Sequence, residues 1–519
     1  MIYNLSEIIE KTNIKPGPNL KEIQNAHNLV YNAVKENKIA VVQGPPGTGK
    51  TTVFRSVINT MLDSLDKNQR VIYIAPTNEL VANMFENIVI DYKRMGKDEK
   101  DINKEIRVYG SKFNYEKCEK LNSKVDKDVK VIITTEYQLV FTEYQPYSEG
   151  SYFHVMIDEA SRSPLHRPFI TLSNSLLEAL IYNKPSRIIS FSVIGDPKQA
   201  IAIGEPYYEE KERLLIMSAV LKGLLKIEGA YEEGEDISDQ AFKQLKGRYF
   251  EFLDITKRLP SPSEKPISYG FYNGRLKAFE SAEKRLQGLW NKNMANYLIA
   301  NDEGLKDVVP YLEAAITTSR PLIYVPVRSD YYKSQYDLLY DEKKANVGLK
   351  FAIALTAITG LTTTVITTYT DQWAQMKLLY NNNYRKLIEN DLRLKIKFGT
   401  VHKMLGSEDE NVVAILGKEY SSEDKDEQKT IHFKEPEILN VQLSRHKRII
   451  VIVGSLSRLI YTAKKLHQKE GSTKYKGLIR TSEKILEQTG VELVKRRGYI
   501  EQRTSDGDEG VYAKIDSIT

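Results

Sequence analysis

Gly44-Pro45-Pro46-Gly47-Thr48-Gly49-Lys50-Thr51-Thr52 lies between an apolar run, Ile39-Ala40-Val41-Val42-Gln43, and a helix-prone stretch that begins near Lys50. The GxxxxGK[ST] spacing, with a strand before it and a helix after it, is that of a phosphate-binding loop. Glycines at 44, 47 and 49 let the backbone curl so that successive N–H groups point at a β-phosphate, and the helix N-terminus adds its partial positive charge. Lys50 can reach the β- and γ-phosphates, and the Thr51 hydroxyl can complete the shell of a Mg²⁺ ion, which prefers phosphate and water oxygens. The alternative is a chance glycine-rich turn, and the strand and helix on the correct sides argue against it.

Working outward, 519 residues of 41% hydrophobic composition predict two or more globular domains. Lys+Arg 75 against Asp+Glu 69 gives a net charge of +6. That balance is compatible with a polyanionic partner and too mild to argue for one, so most charges read as solvated surface. The single cysteine, Cys118, excludes an internal disulfide and any cysteine-built zinc or iron-sulfur site. With no N-terminal apolar segment for secretion, a reducing, intracellular and cytoplasmic setting is expected, with the nucleus open if the source is eukaryotic. No apolar run is long enough to span a bilayer, so no membrane is expected as a partner. The stretch 351–366, broken by threonines and a glycine, reads as a buried helix followed by a strand.

Residues 1–38 are polar and helix-prone after Pro16-Gly17-Pro18. Gln24 stands where its side-chain amide can return to a bound base, or where it is merely a surface glutamine. After the phosphate loop, strands at 70–75, 129–134, 153–157 and 187–194 alternate with helical text such as 79–92, which predicts a parallel sheet. Two strands end in Asp158-Glu159-Ala160-Ser161 and Gly195-Asp196-Pro197-Lys198-Gln199, at the strand ends where open parallel sheets place ligands. Asp158 can hold Mg²⁺ through water, Glu159 can orient and deprotonate the water that attacks the γ-phosphate, and Gln199 can touch that phosphate. An acidic turn is the plain alternative for Asp158-Glu159.

The stretch 201–248 reads as helical and charged, and the domain boundary falls in 253–274, where Lys257-Arg258-Leu259-Pro260 and Phe271-Tyr272-Asn273-Gly274 stand. Helices are predicted over 277–319, with Trp290 and Tyr297 on the apolar side of one of them. A second alternating series follows: strands at 322–325, 362–368, 396–401, 412–416 and 449–453, with helices at 346–359 and from Asp371, and no second phosphate loop. From about Lys464 the text is rich in Lys and Arg, read as a solvated tail or as an extension that contacts nucleic acid.

In order, these segments resemble the motifs of superfamily 1 helicases, within the 5′-to-3′ branch typified by the nonsense-mediated-decay RNA helicase family. Gln24 is similar to that family's adenine-reading glutamine, 44–51 to motif I, Ala75-Pro76-Thr77-Asn78 to motif Ia, Asp158-Glu159-Ala160-Ser161 to motif II and 195–199 to motif III. Arg258-Leu259-Pro260 with Phe271-Tyr272-Asn273-Gly274 resembles its arginine segment, and 365–372, 399–408 and 439–447 resemble motifs IV, V and VI.

The resemblance implies an α/β fold of two tandem RecA-like domains, parallel β-sheets flanked by helices with helical insertions. It divides the chain into a first domain over 1–256, a second over 257–463 and a basic C-terminal extension over 464–519. It implies ATP and Mg²⁺ as cofactors, Gln24, Gly44 to Thr52 and Glu408 at the nucleotide, and Thr51 and Asp158 at the metal. Lys50, Glu159, Gln199, Arg258 and Arg445 are then catalytic, the arginines meeting the γ-phosphate when the two domains close. Thr77, Asn78, Thr400 and Val401 would hold the backbone of a single strand of RNA or DNA.

The activity implied is an ATP-dependent helicase or translocase moving 5′ to 3′. The alternative is an ATP-gated nucleic-acid clamp or recruitment subunit with little unwinding, motivated by Lys257 in place of an aromatic residue and Leu405 in place of a glutamine. A kinase built on the same loop would leave motifs IV to VI unexplained. A monomer is expected, with any protein partners meeting 93–128, 200–250, 277–319 or the C-terminal tail.

Overall fold

The computed structural model describes residues 20–36, 38–62, 64–96, 98, 104–109, 129–136, 152–165, 188–199, 215–327, 340–384, 395–404, 407–419, 430–490, 492–496 and 499–503. The chain divides into two compact units, Met1–Asp254 and Ile255–Thr519.

In the first unit the described elements run α1 Leu20–Lys35, β1 Ile39–Gln43, α2 Lys50–Met61, β2 Gln69–Ala75, α3 Asn78–Arg94, β3 Ile106–Tyr109, β4 Val131–Thr135, β5 Tyr152–Ile157, β6 Ile188–Gly195, α4 Ile216–Ile227, α5 Ile237–Gln244 and β7 Phe250–Phe252. The strands form one seven-stranded sheet in the order β3-β4-β2-β5-β6-β1-β7, and every pairing in it is parallel. Ala40, Val41 and Val42 are wholly buried, as expected of a strand covered on both faces. α1 shows the helical period: Ile23, Ala26, Val30, Ala33 and Val34 are buried in the same cluster as Val53, Phe54, Val57 and Ile58 of α2.

The second unit runs β8 Ile255–Thr256, α6 Lys265–Phe271, β9 Lys277–Ala278, α7 Ala282–Leu286, α8 Lys292–Asn301, α9 Glu303–Lys306, α10 Val309–Thr317, β10 Leu322–Pro326, α11 Glu342–Thr359, β11 Thr363–Thr367, α12 Thr370–Leu379, β12 Ile396–Thr400, β13 Asp409–Ile415, α13 Ile431–Lys434, α14 Glu437–Leu443, β14 His446–Gly454, α15 Leu456–Glu470, α16 Lys476–Thr489, β15 Glu492–Arg496 and β16 Tyr499–Arg503. Its main sheet has the order β10-β14-β13-β11-β12 and is again parallel throughout. α11 runs through its core, with Phe351, Ala352, Ile353, Ala354 and Leu355 all fully buried. Asp341 caps its first turn by accepting from Lys344 N at 3.0 Å, and Gly360 ends it in the left-handed region at φ 66°.

Each unit is thus a parallel sheet flanked by helices, and the expectation of tandem RecA-like α/β domains is borne out. Three details differ from the expectation. β3 and β7 add short edge strands at the two sides of the first sheet, and neither carries enough residues for its alternation to stand out. Trp290 precedes α8 and packs half-buried against the core, while Tyr297 on α8 is 49% exposed, so the two share no apolar face. Residues 464–489 of the basic stretch are helical for most of their length, with Leu478, Ile485 and Leu486 of α16 buried. Among the described residues no helix is long and apolar enough to cross a membrane. Cys118 lies outside the described residues.

One buried ion pair ties the second unit together. Lys344 and Glu419 have side chains that are both 0% exposed, and they pair directly. Lys344 Nζ also donates to Leu416 O at 3.1 Å and Gly417 O at 3.0 Å, while Glu419 Oε1 accepts from Ser455 N at 2.9 Å. These contacts pin the first turn of α11 to the segments that follow β13 and β14. Lys344→Met leaves the Glu419 carboxylate buried without its cation, and is expected to cost about 3–5 kcal/mol in urea unfolding of the full chain. The double change Lys344→Met with Glu419→Gln is expected to recover part of that loss.

Candidate active site

The parallel sheet of the first unit gathers its chemistry at one edge. Gln43, Ala75, Ile157 and Gly195 all end their strands on the same side, so the phosphate loop, Thr77, Asp158 and Asp196 follow at the carboxyl ends. β1 and β6 pair with Gln43 opposite Gly195, and Gly44 N donates to Gly195 O at 2.8 Å. A Cβ on Gly195 would sit 2.8 Å from Ser161 N, so only glycine allows the segment after Asp158 to pass so close.

Within the loop, Pro45, Pro46 and Thr48 are buried, and Thr48 Oγ1 donates to Pro45 O at 2.8 Å. Gly47 and Gly49 lie at φ 69° and 94°, and α2 begins directly after Gly49, with Lys50, Thr51 and Thr52 in its first turn. Lys50 Nζ donates to Gly44 O at 3.0 Å and stands 3.5 Å from Glu159 Oε1. Phosphate-loop lysine and acidic residue therefore share one small volume. Gln24, one residue after the Ile23 side chain that abuts Gly49, donates its Nε2 to Asn28 Oδ1 at 2.8 Å within α1.

Asp158 is 1% exposed. Its Oδ1 accepts from Glu159 N at 2.8 Å and its Oδ2 from the Tyr73 hydroxyl at 2.7 Å. Burial, followed by the charge of Glu159, pushes its carboxyl up to about 6, against the opposing pull of Tyr73 and Lys50. Each oxygen keeps a lone pair beyond these bonds, so the carboxylate fits a hydrated Mg²⁺ ion, which prefers oxygen ligands and retains water. Glu159 holds φ 49°, a left-handed conformation that costs a non-glycine residue roughly 1–3 kcal/mol and is typical of functional positions.

Asp196 is fully buried and accepts from Gln43 Nε2 at 3.2 Å and Gln199 Nε2 at 2.6 Å, while its N–H goes to Ser161 Oγ at 2.9 Å. Gln199 and the start of the phosphate loop are thus joined through one carboxylate. Gln43, which bonds Asp196, and Tyr73, which bonds Asp158, were missed by motif reading, because each belongs to an apolar strand that masks it. Lys198 pairs with Asp236, the cap of α5. Thr77 Oγ1 accepts from Leu80 N at 3.4 Å and caps α3, and Asn78 Oδ1 is buried with no hydrogen-bond partner among the described residues.

A separate cluster forms in the second unit, at the amino ends of β13 and β14. Arg258 Nε donates to Glu408 Oε2 at 2.7 Å and its Nη1 to Ser444 O at 3.1 Å. Lys447 Nζ meets the other oxygen, Glu408 Oε1, at 2.6 Å. Burial alone would raise the Glu408 carboxyl, but Arg258 and Lys447 outweigh it and hold it below the ordinary range. Arg445 is buried and donates from Nε to Val441 O at 3.1 Å and from Nη1 to Ser407 O at 3.2 Å. Arg258, Glu408 and Arg445 are therefore neighbours, joined by Lys447, a fourth charged residue that the motifs did not single out. The Tyr272 hydroxyl accepts from Asn440 Nδ2 at 2.8 Å and links the segment after Arg258 to α14.

Thr400, the last residue of β12, and Val401 after it lie at the other end of that sheet: Thr400 pairs with Thr367 and Ile366 with Ala414, which sets Thr400 about six residues along β13 from Asp409, roughly 20 Å by strand rise. Thr400 Oγ1 accepts from Lys403 N at 3.4 Å, and Val401 is buried with its N–H given to Thr367 O at 2.9 Å. Lys403 and Lys377 stand over the Trp373 ring at 4.8 and 5.7 Å, an aromatic and basic grouping beside Thr400 that motif reading passed over. Leu405 lies outside the described residues.

The model of the DEAD/DEAH box helicase family matches residues 24–193 and that of an AAA domain matches residues 246–457. Among curated proteins, replicase polyprotein 1ab of Breda virus 1 is 42% identical over 65 residues, covering 12% of this chain and 1% of that protein. DNA-binding protein SMUBP-2 of Mesocricetus auratus is 33% identical over 63 residues, 12% of this chain and 6% of that protein. Probable helicase senataxin of Homo sapiens is 28% identical over 94 residues, 16% of this chain and 4% of that protein. The matched chain thus spans only a few per cent of the length of these relatives. A solved structure of the DUF1998 helicase MrfA bound to DNA and AMPPNP is similar at a TM-score of 0.38 and 12% identity, covering 86% of this chain and 50% of that one. The resemblance to superfamily 1 helicases read from the motifs is borne out by the family and curated matches.

A Cβ on Gly44 would lie 2.3 Å from Lys50 Cγ. Gly44→Ala is therefore expected to push Lys50 out of the loop and weaken binding of a fluorescent ATP analogue by at least about tenfold, with the thermal unfolding midpoint of the chain little changed.

Proposed function

For this chain, which carries a DEAD/DEAH box helicase domain and an AAA domain, we propose an ATP-dependent helicase or translocase on single-stranded RNA or DNA. In this reading it moves 5′ to 3′ and couples hydrolysis to closure of its domains. The observation that carries the proposal is the convergence of Lys50, Asp158, Glu159 and the Gln43-Asp196-Gln199 link at one edge of a parallel sheet.

The segment from Gly44 to Thr52 cradles the phosphates with backbone N–H groups, Lys50 neutralises the β- and γ-phosphates, and Gln24 faces the base. Thr51 and Asp158 would hold a Mg²⁺ ion, which would draw charge from the phosphate oxygens. Glu159 takes the proton of the attacking water at its carboxylate, from the position that φ 49° gives it near Lys50. Gln199 orients at the γ-phosphate, with its amide aligned by Asp196. Arg258 and Arg445 stabilise charge on the phosphoryl group, and Glu408 assists at the nucleotide while aligning Arg258. Thr77, Asn78, Thr400 and Val401 grip the strand backbone, Thr77 and Asn78 from the carboxyl end of β2 and Thr400 and Val401 from that of β12.

The division into a first domain over 1–256, a second over 257–463 and a basic extension over 464–519 belongs to the same reading. So do a monomeric state, a cytoplasmic setting suggested by the single cysteine, and protein partners recruited by the insertions or the C-terminal residues.

Steady-state ATP hydrolysis with Mg²⁺, with and without single-stranded RNA and DNA oligonucleotides, tests this reading. Strong stimulation by one polymer is expected, with Glu159→Gln lowering kcat by about 100-fold or more while ATP still binds. Strand binding with turnover that barely responds would favour the ATP-gated clamp, which Lys257 supports through a side chain that offers no stacking face. Turnover indifferent to both polymers, without strand binding, would remove the helicase reading.

A further inference from the structure

Outside the motif residues, one side chain holds the backbone of both arginine-bearing segments of the second unit. Arg285, on α7, donates through Nη1 to the carbonyl oxygens of Arg258 and, at 2.8 Å, of Lys447. Its Nη2 donates to the carbonyl of Lys257, and its Nε donates to Glu280 Oε2 at 2.9 Å. The side chain is 13% exposed, and the carbonyl of Arg285 itself accepts from Arg448 Nη1. Arg448 is fixed in turn by Glu410 Oε2 at 2.6 Å.

The local chain path explains why this residue is needed. β8 pairs in parallel with β9, and Ser261 bridges to Ser281. Phe279 N donates to Thr256 O at 2.9 Å, Ser261 N to Glu280 O at 2.8 Å and Ala282 N to Ser261 O at 2.8 Å. The loop 257–260 is therefore clasped at both ends by 277–282; in its middle Thr256 Oγ1 accepts from Arg258 N at 3.2 Å, and Arg285 takes the carbonyls of Lys257 and Arg258. A planar, permanently charged guanidinium, with donors at fixed angles, can serve three carbonyl oxygens and one carboxylate at once. A lysine ammonium has no such fork.

We propose that Arg285 is a positioning residue: it locks the backbone of Lys257 and Arg258 against Lys447 and so aims the Arg258 guanidinium, already bonded to Glu408 and Ser444 O, at the transferring phosphoryl group. The inference rests on the reading of Arg258 given above. Arg285 lies in the stretch 277–319, which no helicase motif covers. A displaced catalytic group costs rate more than affinity, because binding still occurs while the reactive geometry is lost.

The test uses the full chain and strand-stimulated ATP hydrolysis in Arg285→Ala, Arg285→Lys, Arg258→Ala and the double change Arg258→Ala with Arg285→Ala. Arg285→Ala is expected to lower kcat about tenfold with KM for ATP within about threefold, and Arg285→Lys to recover only part of the loss. In the Arg258→Ala background the second change is expected to add less than about twofold, because the group it positions is gone. Multiplicative losses in the double variant, or a raised KM at unchanged kcat, would overturn the role. If Arg285→Ala does not fold, Glu280→Gln, which weakens the Nε contact and an exposed pair with Lys284 while leaving the three carbonyl contacts of Arg285 in place, enters the same cycle with Arg258→Ala and is held to the same outcomes. A wild-type chain without ATP turnover would overturn the functional reading and this inference with it, whereas an active wild type with multiplicative losses overturns the inference alone.

Discussion

The parallel pairing of β1 with β6, which sets Gln43 beside Gly195, is the constraint on which the first unit's chemistry depends. From it follow the bond from Gly44 N to Gly195 O and the reach of Gln43 to Asp196. In a strand, side chains alternate between faces, so a slip of one residue would turn Gln43 away from Asp196 and carry the phosphate loop out of line with Gly195. Val41, Val42, Val193 and Ile194 are buried, so the same slip would also break the close packing of these side chains against the layers on both faces of the sheet. Core packing, rather than the loop itself, keeps the site in register.

The second unit meets a different problem, since its arginines ride on loops. Glu408 receives two cations, one at each carboxylate oxygen, and this fixes Arg258 through Nε while leaving Nη2 uncommitted among the described residues. An arginine already held at Nε and Nη1, with Nη2 left over, loses less conformational entropy when it meets a phosphate than one on an unrestrained stem. The backbone of the same residue is held independently, through Thr256 Oγ1 to Arg258 N at 3.2 Å and through Arg285 to its carbonyl. Side chain and main chain are thus restrained by different partners.

Much of this was legible in the sequence where chemistry is local. The phosphate loop, Asp158-Glu159 and 195–199 announce themselves because residue types at fixed short spacing must follow an apolar strand, and the structure puts all three at strand ends. The long helix and following strand in 351–366 were readable from apolar continuity, and α11 and β11 bear that out. What stayed hidden is long-range. Arg285 meets Lys447 across 162 positions and Lys344 meets Glu419 across 75, and nothing in the neighbourhood of either residue marks it. Gln43 and Tyr73 looked like strand residues because they are strand residues, with polar tips whose partners arrive from other strands. Trp290 and Tyr297 were assigned one helix face by spacing alone, and the start of α8 at Lys292 removes the first of them from the helix.

Asp158 and Glu159 show how adjacent carboxylates can be given separate tasks. Asp158 is sealed beneath the sheet edge, where Tyr73 and the N–H of Glu159 fix both of its oxygens. Glu159 is turned by its φ of 49° toward Lys50 instead. Were both in extended backbone, alternation would send their side chains to opposite faces, and only one would meet the phosphate loop. The left-handed turn brings the second carboxylate back to the same edge at a modest conformational cost. The fold can bear that cost because Gly195 lets the Ala160-Ser161 backbone close against β6, with Ala160 N bonded to Ile194 O at 2.9 Å and Ser161 Oγ to Asp196 N at 2.9 Å. A glycine 36 positions downstream thereby licenses the geometry of a glutamate, and the two must be read together for either to make sense.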